Sequence, residues 1–241
     1  MEAAPWLDHY DQGVPPTLGP YPERTLLDDL ADAVAQRPDA PAALFKGRAV
    51  SHGELDRRSD AFAAALIGLG VARGDRVALL LPNCPQFLIC ELGAWKAGAI
   101  VVPLNPIYTE QELEGALVRT GAETIVVLTP FYHRVKAVQP RTALKRVIAT
   151  NVKEYLPPLL RVLFTLAKER KDGHRVTLEE GDLWLGDLLE GHQGASRPAV
   201  EVAPGDPAVI LMSGGTTGTP KGVVGLHRHY TITGRQLGVW L

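Results

Sequence analysis

The sequence predicts an α/β fold in which helices flank a parallel sheet, together with an incomplete second subdomain. Strand-like and helix-like patterns alternate along most of the chain, at the spacing that βαβ units require. Several predicted strands are apolar runs without polar alternation, and Val77–Leu81 is the clearest of them. Such runs are typical of strands that are buried on both faces. The 241 residues suffice for one large domain or two small ones.

Capping residues set the starts of the first two helices. Thr25–Gln36 is predicted to be capped by its own Thr25. Ser51–Leu69 follows a hairpin with Lys46-Gly47 at its turn, and Ser51 with Glu54 predicts a capping box. Further helices are predicted at Pro85–Lys96, Thr109–Thr120, near His133–Val138 and at Leu183–Leu189, and a last one begins near Thr231. The other predicted strands or apolar runs are Ala99–Pro103, Thr124–Leu128, Arg146–Thr150, Pro207–Met212 and Val223–Leu226.

These patterns divide the chain into three parts. Residues 1–23, with five prolines, predict an extended arm on the domain surface. Residues 24–205 form the first α/β subdomain, interrupted by a helical excursion at 151–200. Residues 206–241 begin a second subdomain, which carries the glycine-rich loop described below.

One segment of the excursion, Leu156–Arg170, combines a broad apolar face with basic residues. Two interpretations are open. The apolar face packs on the domain, or the helix lies on a membrane surface, as basic amphipathic helices do.

Composition excludes several classes of function. Hydrophobic residues make up 46% and charged residues 22% of the chain, and the net charge is -2. No global field therefore favours nucleic acid or an anionic membrane, and we expect no nucleic-acid partner. Cys84 and Cys90 have the wrong spacing for a shared zinc site and predict two buried thiols. We find no secretory signal and no apolar stretch of the roughly 18 residues that span a bilayer, which predicts a cytoplasmic protein.

The chemistry is concentrated in a glycine-rich segment that follows a predicted strand. Its four glycines let the backbone approach an anion closely, its four hydroxyls add hydrogen-bond donors, and its lysine adds positive charge. A proline just before the lysine stiffens the exit of the loop. This composition predicts a cradle for the phosphates of ATP. The residues are Ser213, Gly214, Gly215, Thr216, Thr217, Gly218, Thr219, Pro220, Lys221 and Gly222.

Other phosphate-binding patterns do not fit this segment. A Walker A loop requires Gly-Lys-Ser/Thr, whereas Pro220 precedes Lys221 and Gly222 follows it here. The glycine spacing also differs from that of a GxGxxG dinucleotide turn. A flexible surface linker is disfavoured because apolar runs stand directly before and after the segment.

The segment resembles the phosphate-binding signature of AMP-forming acyl-CoA synthetases. Three other stretches resemble that family in order and spacing, and the resemblance covers nearly the whole chain; they are Ala49–Leu66, Gly74–Leu81 and Trp95–Pro106. The similarity is greatest to bacterial long-chain fatty acid–CoA ligases, as in Asn105-Pro106-Ile107-Tyr108-Thr109. It implies activation of a fatty acid to acyl-AMP, then transfer to coenzyme A, with ATP and Mg²⁺ required. The alternatives are a ligase for another carboxylic acid, or a truncated non-catalytic nucleotide-binding module.

The sequence departs from that pattern at two places near the loop. Met212-Ser213 stands where these ligases usually have Tyr-Thr, and Leu226-His227-Arg228-His229 replaces Thr-His-Arg-Asn. Two histidines without a third ligand nearby do not predict a metal site. A packed structural role is expected for His227, and no residue of the chain is assigned as catalytic.

The family's magnesium-binding glutamate, its ribose-binding aspartate and its catalytic lysine have no counterparts in these 241 residues. The resemblance therefore implies the first part of a ligase. We expect the chain by itself to be poorly stable and inactive, because an unfinished sheet leaves an unpaired edge and exposed apolar surface.

Overall fold

The computed structural model describes residues 5–213 and 220–240. The strands are β1 (Pro41–Phe45), β2 (Arg48–Ser51), β3 (Arg76–Leu80), β4 (Ile100–Pro103), β5 (Thr124–Leu128), β6 (Arg146–Thr150), β7 (Leu183–Trp184), β8 (Pro207–Met212) and β9 (Gly222–Leu226). The α-helices are α1 (Leu26–Gln36), α2 (His52–Gly68), α3 (Pro85–Lys96), α4 (Glu110–Thr120), α5 (Tyr132–Val138), α6 (Pro158–Ala167), α7 (Leu185–Gly191) and α8 (His227–Trp240).

Seven strands form the main sheet, in the order β7-β6-β5-β3-β4-β8-β9. All neighbours in it are parallel except β8 and β9, which form an antiparallel hairpin at one edge. β1 and β2 make a separate two-stranded hairpin. The fold class predicted from the sequence, a largely parallel sheet flanked by helices, is confirmed.

The alternation of side chains along the central strands produces two apolar layers. Val77 and Leu79 of β3 face a core built with α1, α2, α3 and α7, whereas Ala78 and Leu80 face a second core built with α4 and α5. Both faces of the strand are thus buried, which explains why its sequence shows no polar alternation.

Close packing of α2 against α3 depends on one glycine. A Cβ placed on Gly93 would lie 2.8 Å from the Phe62 ring and from the Ser59 carbonyl oxygen. Beside this contact the fully buried Lys96 donates to Asp56 at 2.7 Å and to Asp60 at 2.6 Å. A buried ammonium requires such partners, because an unpaired charge is costly in the interior. Gly93 and Lys96 therefore fix the position of α3.

The predicted helix caps are partly confirmed. Thr25 caps α1, and it forms a full capping box with Asp28. Ser51 caps α2 by accepting from the Glu54 N–H, but the predicted box is wrong in its second half. The Glu54 carboxylate instead pairs with Arg48 and Arg58, each at 2.9 Å.

Other elements differ from the sequence prediction. The arm is not uniformly extended, because Pro5–His9 forms a 3-10 helix. Leu183–Trp184 pairs with β6 as an edge strand, so the predicted helix at Leu183–Leu189 starts at Leu185 instead. The last helix starts at His227, four residues before the expected Thr231.

Both cysteines are buried and free, as predicted. Burial raises the pKa of the Cys84 thiol to about 11 and raises that of Cys90 as well.

The described part of the excursion is mostly irregular and surrounds α6. No residue of α6 is buried, so its apolar face is not covered by the rest of the described chain. In the part of the chain that the structure describes, no helix combines the length and hydrophobicity needed to cross a membrane. The proposed division at residue 206 stays a prediction, although β8 hydrogen-bonds to β4 within one sheet.

Candidate phosphate-binding site

The β8–β9 hairpin holds the two ends of the predicted phosphate-binding loop together. The Ser213 N–H donates to the Lys221 carbonyl oxygen at 2.8 Å, and the Lys221 N–H donates to the Ser213 Oγ at 3.1 Å. Four predicted site residues are described, namely Ser213, Pro220, Lys221 and Gly222; the other six, Gly214, Gly215, Thr216, Thr217, Gly218 and Thr219, lie outside the described residues.

The groups at the base of the loop can still interact with an anion. Ser213 Oγ already accepts a hydrogen bond, and no described residue accepts its hydroxyl proton. Lys221 is exposed, and within residues 5–213 and 220–240 its ammonium forms no ion pair. A hydroxyl proton and a positive charge at the mouth of one hairpin suit the binding of phosphate oxygens.

Glycines in β9 allow this strand to lie close to β8. A Cβ on Gly222 would lie 2.9 Å from Cγ2 of Ile210, and one on Gly225 would lie 2.7 Å from Cγ1 of Val209. Real Cβ atoms do not approach neighbours this closely, so larger side chains would push the strands apart. Gly222 was predicted as a loop residue, and the structure places it at the first position of β9, paired with Met212.

A second loop leaves the sheet beside this hairpin. β4 and β8 are parallel and paired through Val101 and Val209, so their carboxyl ends lie at one edge of the sheet. When that pairing register is continued towards the carboxyl ends of the two strands, Ser213 lies beside Asn105, where the second loop begins. Carboxyl ends of parallel strands are the usual place for ligands in open α/β sheets.

The second loop is held in a fixed shape by polar contacts. Asn105 accepts from the Ile107 N–H at 3.1 Å, and Arg134 donates to the carbonyl oxygens of Pro106 and Tyr108 at 2.9 and 2.7 Å. Thr109 then caps α4 with a full capping box. The Asn-Pro-Ile-Tyr-Thr stretch thus forms a rigid edge beside the β8–β9 hairpin.

The Trp95 side chain holds β8 in position through a hydrogen bond, a role that the sequence analysis did not assign. The ladder between β8 and β9 is irregular at Ala208, and the Trp95 indole N–H donates to the Ala208 carbonyl oxygen at 2.8 Å. The same ring contacts His227 and Tyr230 edge-on, with centroids 5.3 and 5.1 Å away. Trp95 therefore joins α3, β8 and α8. No local sequence pattern reports this contact, because its two partners lie 113 residues apart.

His227 is buried, which agrees with its predicted structural role. Burial lowers the pKa of the imidazole to about 4, against the opposing effect of Asp206. Its backbone N–H donates to the Asp206 carbonyl oxygen, and the Asp206 carboxylate accepts from Arg73 at 2.7 Å. These contacts fix the far end of the hairpin.

No metal site is found at these histidines. His229 Nδ1 accepts from the Leu226 N–H at 3.2 Å, so this nitrogen is already occupied. Nowhere within residues 5–213 and 220–240 do three His, Cys, Asp or Glu side chains come together as metal ligands.

Comparison with known proteins shows the family of this chain. The sequence profile described as "AMP-binding enzyme" matches residues 30–240. The chain belongs to the AMP-binding enzyme family. The matched residues include the β8–β9 hairpin, the Asn105–Thr109 loop and Trp95.

Members of the AMP-binding family with curated names include close relatives of this chain. A long-chain-fatty-acid–CoA ligase of Escherichia coli O157:H7 is 35% identical over 227 residues, which are 93% of this chain and 40% of the relative. One from Bacillus subtilis strain 168 is 32% identical over 238 residues, 98% of this chain and 42% of the relative. The crystal structure of a long-chain-fatty-acid–CoA ligase from Archaeoglobus fulgidus superposes with a TM-score of 0.70 at 25% identity, covering 95% of this chain and 42% of that one. The chain thus spans about two fifths of the length of these relatives.

Proposed function

We propose that this chain provides the phosphate-binding hairpin of an AMP-forming ligase that activates a long-chain fatty acid. The observation that carries the proposal is the pairing of Ser213 with Lys221 at the mouth of β8 and β9. The family membership and the relatives named long-chain-fatty-acid–CoA ligase support it. The substrates would be the fatty acid, ATP and coenzyme A.

The reaction proposed for the whole enzyme has two steps. A carboxylate oxygen of the fatty acid attacks the α-phosphorus of ATP, and the bond from that phosphorus to the bridging oxygen breaks, giving acyl-AMP and pyrophosphate. The sulfur of coenzyme A then attacks the acyl carbon, its proton is lost, and AMP leaves. Lys221 would offset the negative charge that develops on the departing pyrophosphate.

The residues present fit polyphosphate better than they fit a protein-held metal. Lys221 and the Ser213 hydroxyl are groups that bind phosphate, whereas among the described residues no three His, Cys, Asp or Glu side chains come together as metal ligands. Mg²⁺ would therefore enter together with ATP and would offset its negative charge, and we assign none of the described side chains as its ligand. A cytoplasmic location is also part of the proposal, and peripheral contact with a membrane is considered below.

A chimera tests the proposal. This chain replaces the matching segment of the Bacillus subtilis relative, and palmitate-dependent exchange of pyrophosphate into ATP is measured. We expect exchange in the chimera, and a loss of at least tenfold in its Lys221→Ala variant, since one positioned charge contributes about 1.5–3 kcal/mol.

Lys145→Ala serves as the matched control. Lys145 is also an exposed lysine, but it precedes β6 and so lies at the opposite edge of the sheet. Equal activity of the two variants would contradict the assigned role of Lys221. A chimera that exchanges pyrophosphate with benzoate but not with palmitate would favour the alternative of another carboxylic acid.

A further inference from the structure

The outer face of α6 is a continuous apolar stripe. Leu159, Val162, Leu163 and Leu166 stand at positions i, i+3, i+4 and i+7 and so share one side of the helix. Their exposed fractions are 71%, 56%, 52% and 80%. Single exposed apolar residues are ordinary on a protein surface, but a contiguous set marks a contact surface.

The helix is held to the protein by its other side. Phe164 is half-buried and packs edge-on against His174, with ring centroids 5.0 Å apart. After the helix, Glu169 pairs with Lys153, and its N–H donates to the Phe164 carbonyl oxygen at 2.8 Å. These contacts keep α6 in place while its apolar stripe faces outward.

Basic side chains border the stripe. Lys168, Arg170 and Lys171 follow α6 directly and are exposed. Of the two acidic residues among them, Glu169 is paired with Lys153, and only Asp172 opposes the positive charge.

A basic cavity lies on the other side of α6. Arg161 lines this cavity, which has a volume of about 670 Å³, together with the other arginines Arg48, Arg57 and Arg58. Three glutamates also line it, Glu54, Glu154 and Glu190, so its excess of positive charge is small. The basic residues at the end of α6 therefore supply most of the charge next to the stripe.

We propose that α6 lies in the surface of a membrane that contains anionic phospholipid. The apolar stripe would enter the region between headgroups and acyl chains, and Lys168, Arg170 and Lys171 would contact the phosphates. Ten residues of α-helix are about 15 Å long, so α6 can lie in the interface but cannot cross the bilayer. An apolar stripe with a basic border is the pattern of interfacial helices. The proposal goes beyond the ligase reaction and does not depend on it.

Co-sedimentation of the whole chain with lipid vesicles tests this proposal. Vesicles of phosphatidylcholine alone are compared with vesicles that contain one quarter phosphatidylglycerol. We expect binding to the anionic vesicles, and a loss of about tenfold in Val162→Ser, because burying such a side chain contributes one to two powers of ten.

Val118→Ser is the matched control. Val118 is 57% exposed, against 56% for Val162, and it also lies on a helix, but that helix is α4, which packs against the second core. The control variant should bind like the unchanged protein. Equal binding by the two variants would overturn the proposal, and circular dichroism of both verifies that they fold alike.

The charge border is tested separately. Lys171→Gln should weaken binding to anionic vesicles about fivefold, since a basic residue near such a surface contributes about 1 kcal/mol. Lys145→Gln should have no effect. The main rival occupant of the stripe is a second copy of the chain. If sedimentation without lipid showed a dimer that Val162→Ser dissociates, and no vesicle binding were found, the stripe would be a protein interface and the proposal would be wrong.

Discussion

Replacing Trp95 with Phe removes the hydrogen bond that fixes β8 within the β8–β9 hairpin. The buried Ala208 carbonyl oxygen loses its 2.8 Å partner, and an unsatisfied buried acceptor costs about 1–3 kcal/mol. The smaller ring also leaves a void against His227 and Tyr230, which adds about 1 kcal/mol. We therefore expect the free energy of unfolding to fall by about 2–4 kcal/mol.

Urea unfolding followed by far-ultraviolet circular dichroism measures this change. Trp6→Phe is the control, because Trp6 is 61% exposed and its replacement should change stability by less than about 0.5 kcal/mol. Hydrogen exchange of backbone amides supplies a second readout. Exchange in β8 should accelerate more than exchange in β6, which β5, β3 and β4 separate from β8 in the sheet. Equal stability of the two variants, with unchanged exchange in β8, would refute the assigned role of Trp95.

Two ionisable groups give further predictions, the half-buried Glu91 carboxyl group and the buried Lys96 ammonium group. Burial raises the pKa of Glu91 from its ordinary 4.5 to about 7, so its contribution to stability is complete below pH 4.5 and is lost as the pH rises to 7. The free energy of unfolding should therefore fall by about 3 kcal/mol over this pH range, and the fall should be absent in Glu91→Gln. Urea midpoints that shift equally between pH 5 and pH 8 in both proteins would contradict this prediction. Lys96→Met should destabilise the protein by about 3 kcal/mol, because the Asp60 carboxylate loses its ion-pair partner. Burial already raises the pKa of Asp60, so its unpaired charge would be costly. Adding Asp60→Asn should restore much of that loss in the same urea assay, and no recovery would show that the ion pair is not the cause.

The regular elements could be predicted because local patterns determine them. The unbroken apolar run at Val77–Leu81 could only be satisfied by a strand buried on both faces, and the structure places it between two cores. Thr25 and Ser51 could be recognised as helix caps because each side-chain oxygen accepts a hydrogen bond from a backbone N–H only three residues further on, which is a local interaction. The family, likewise, could be recognised from contiguous motifs.

Contacts between distant residues could not be predicted in this way. Glu54 was expected to bond to the backbone of Ser51, but two arginines compete for it, and one of these reaches it from β2. The local sequence predicts that Leu183–Trp184 is part of a helix, but in the structure these residues pair with β6 as a short strand. The indole of Trp95 bonds to a carbonyl 113 residues away, and no local pattern reports such a partner. The glycine-rich segment was recognised from its composition, but six of its residues lie outside the described structure, so their roles stay a prediction.

The central claim is that the β8–β9 hairpin binds the phosphates of ATP. Isothermal titration of ATP into the chimera described above tests the claim directly, with its Lys221→Ala and Lys145→Ala variants measured under the same conditions. The account predicts saturable binding that Lys221→Ala weakens about tenfold or more and that Lys145→Ala leaves unchanged, because only Lys221 stands at the mouth of the hairpin. Saturable binding of equal strength in all three proteins would contradict it.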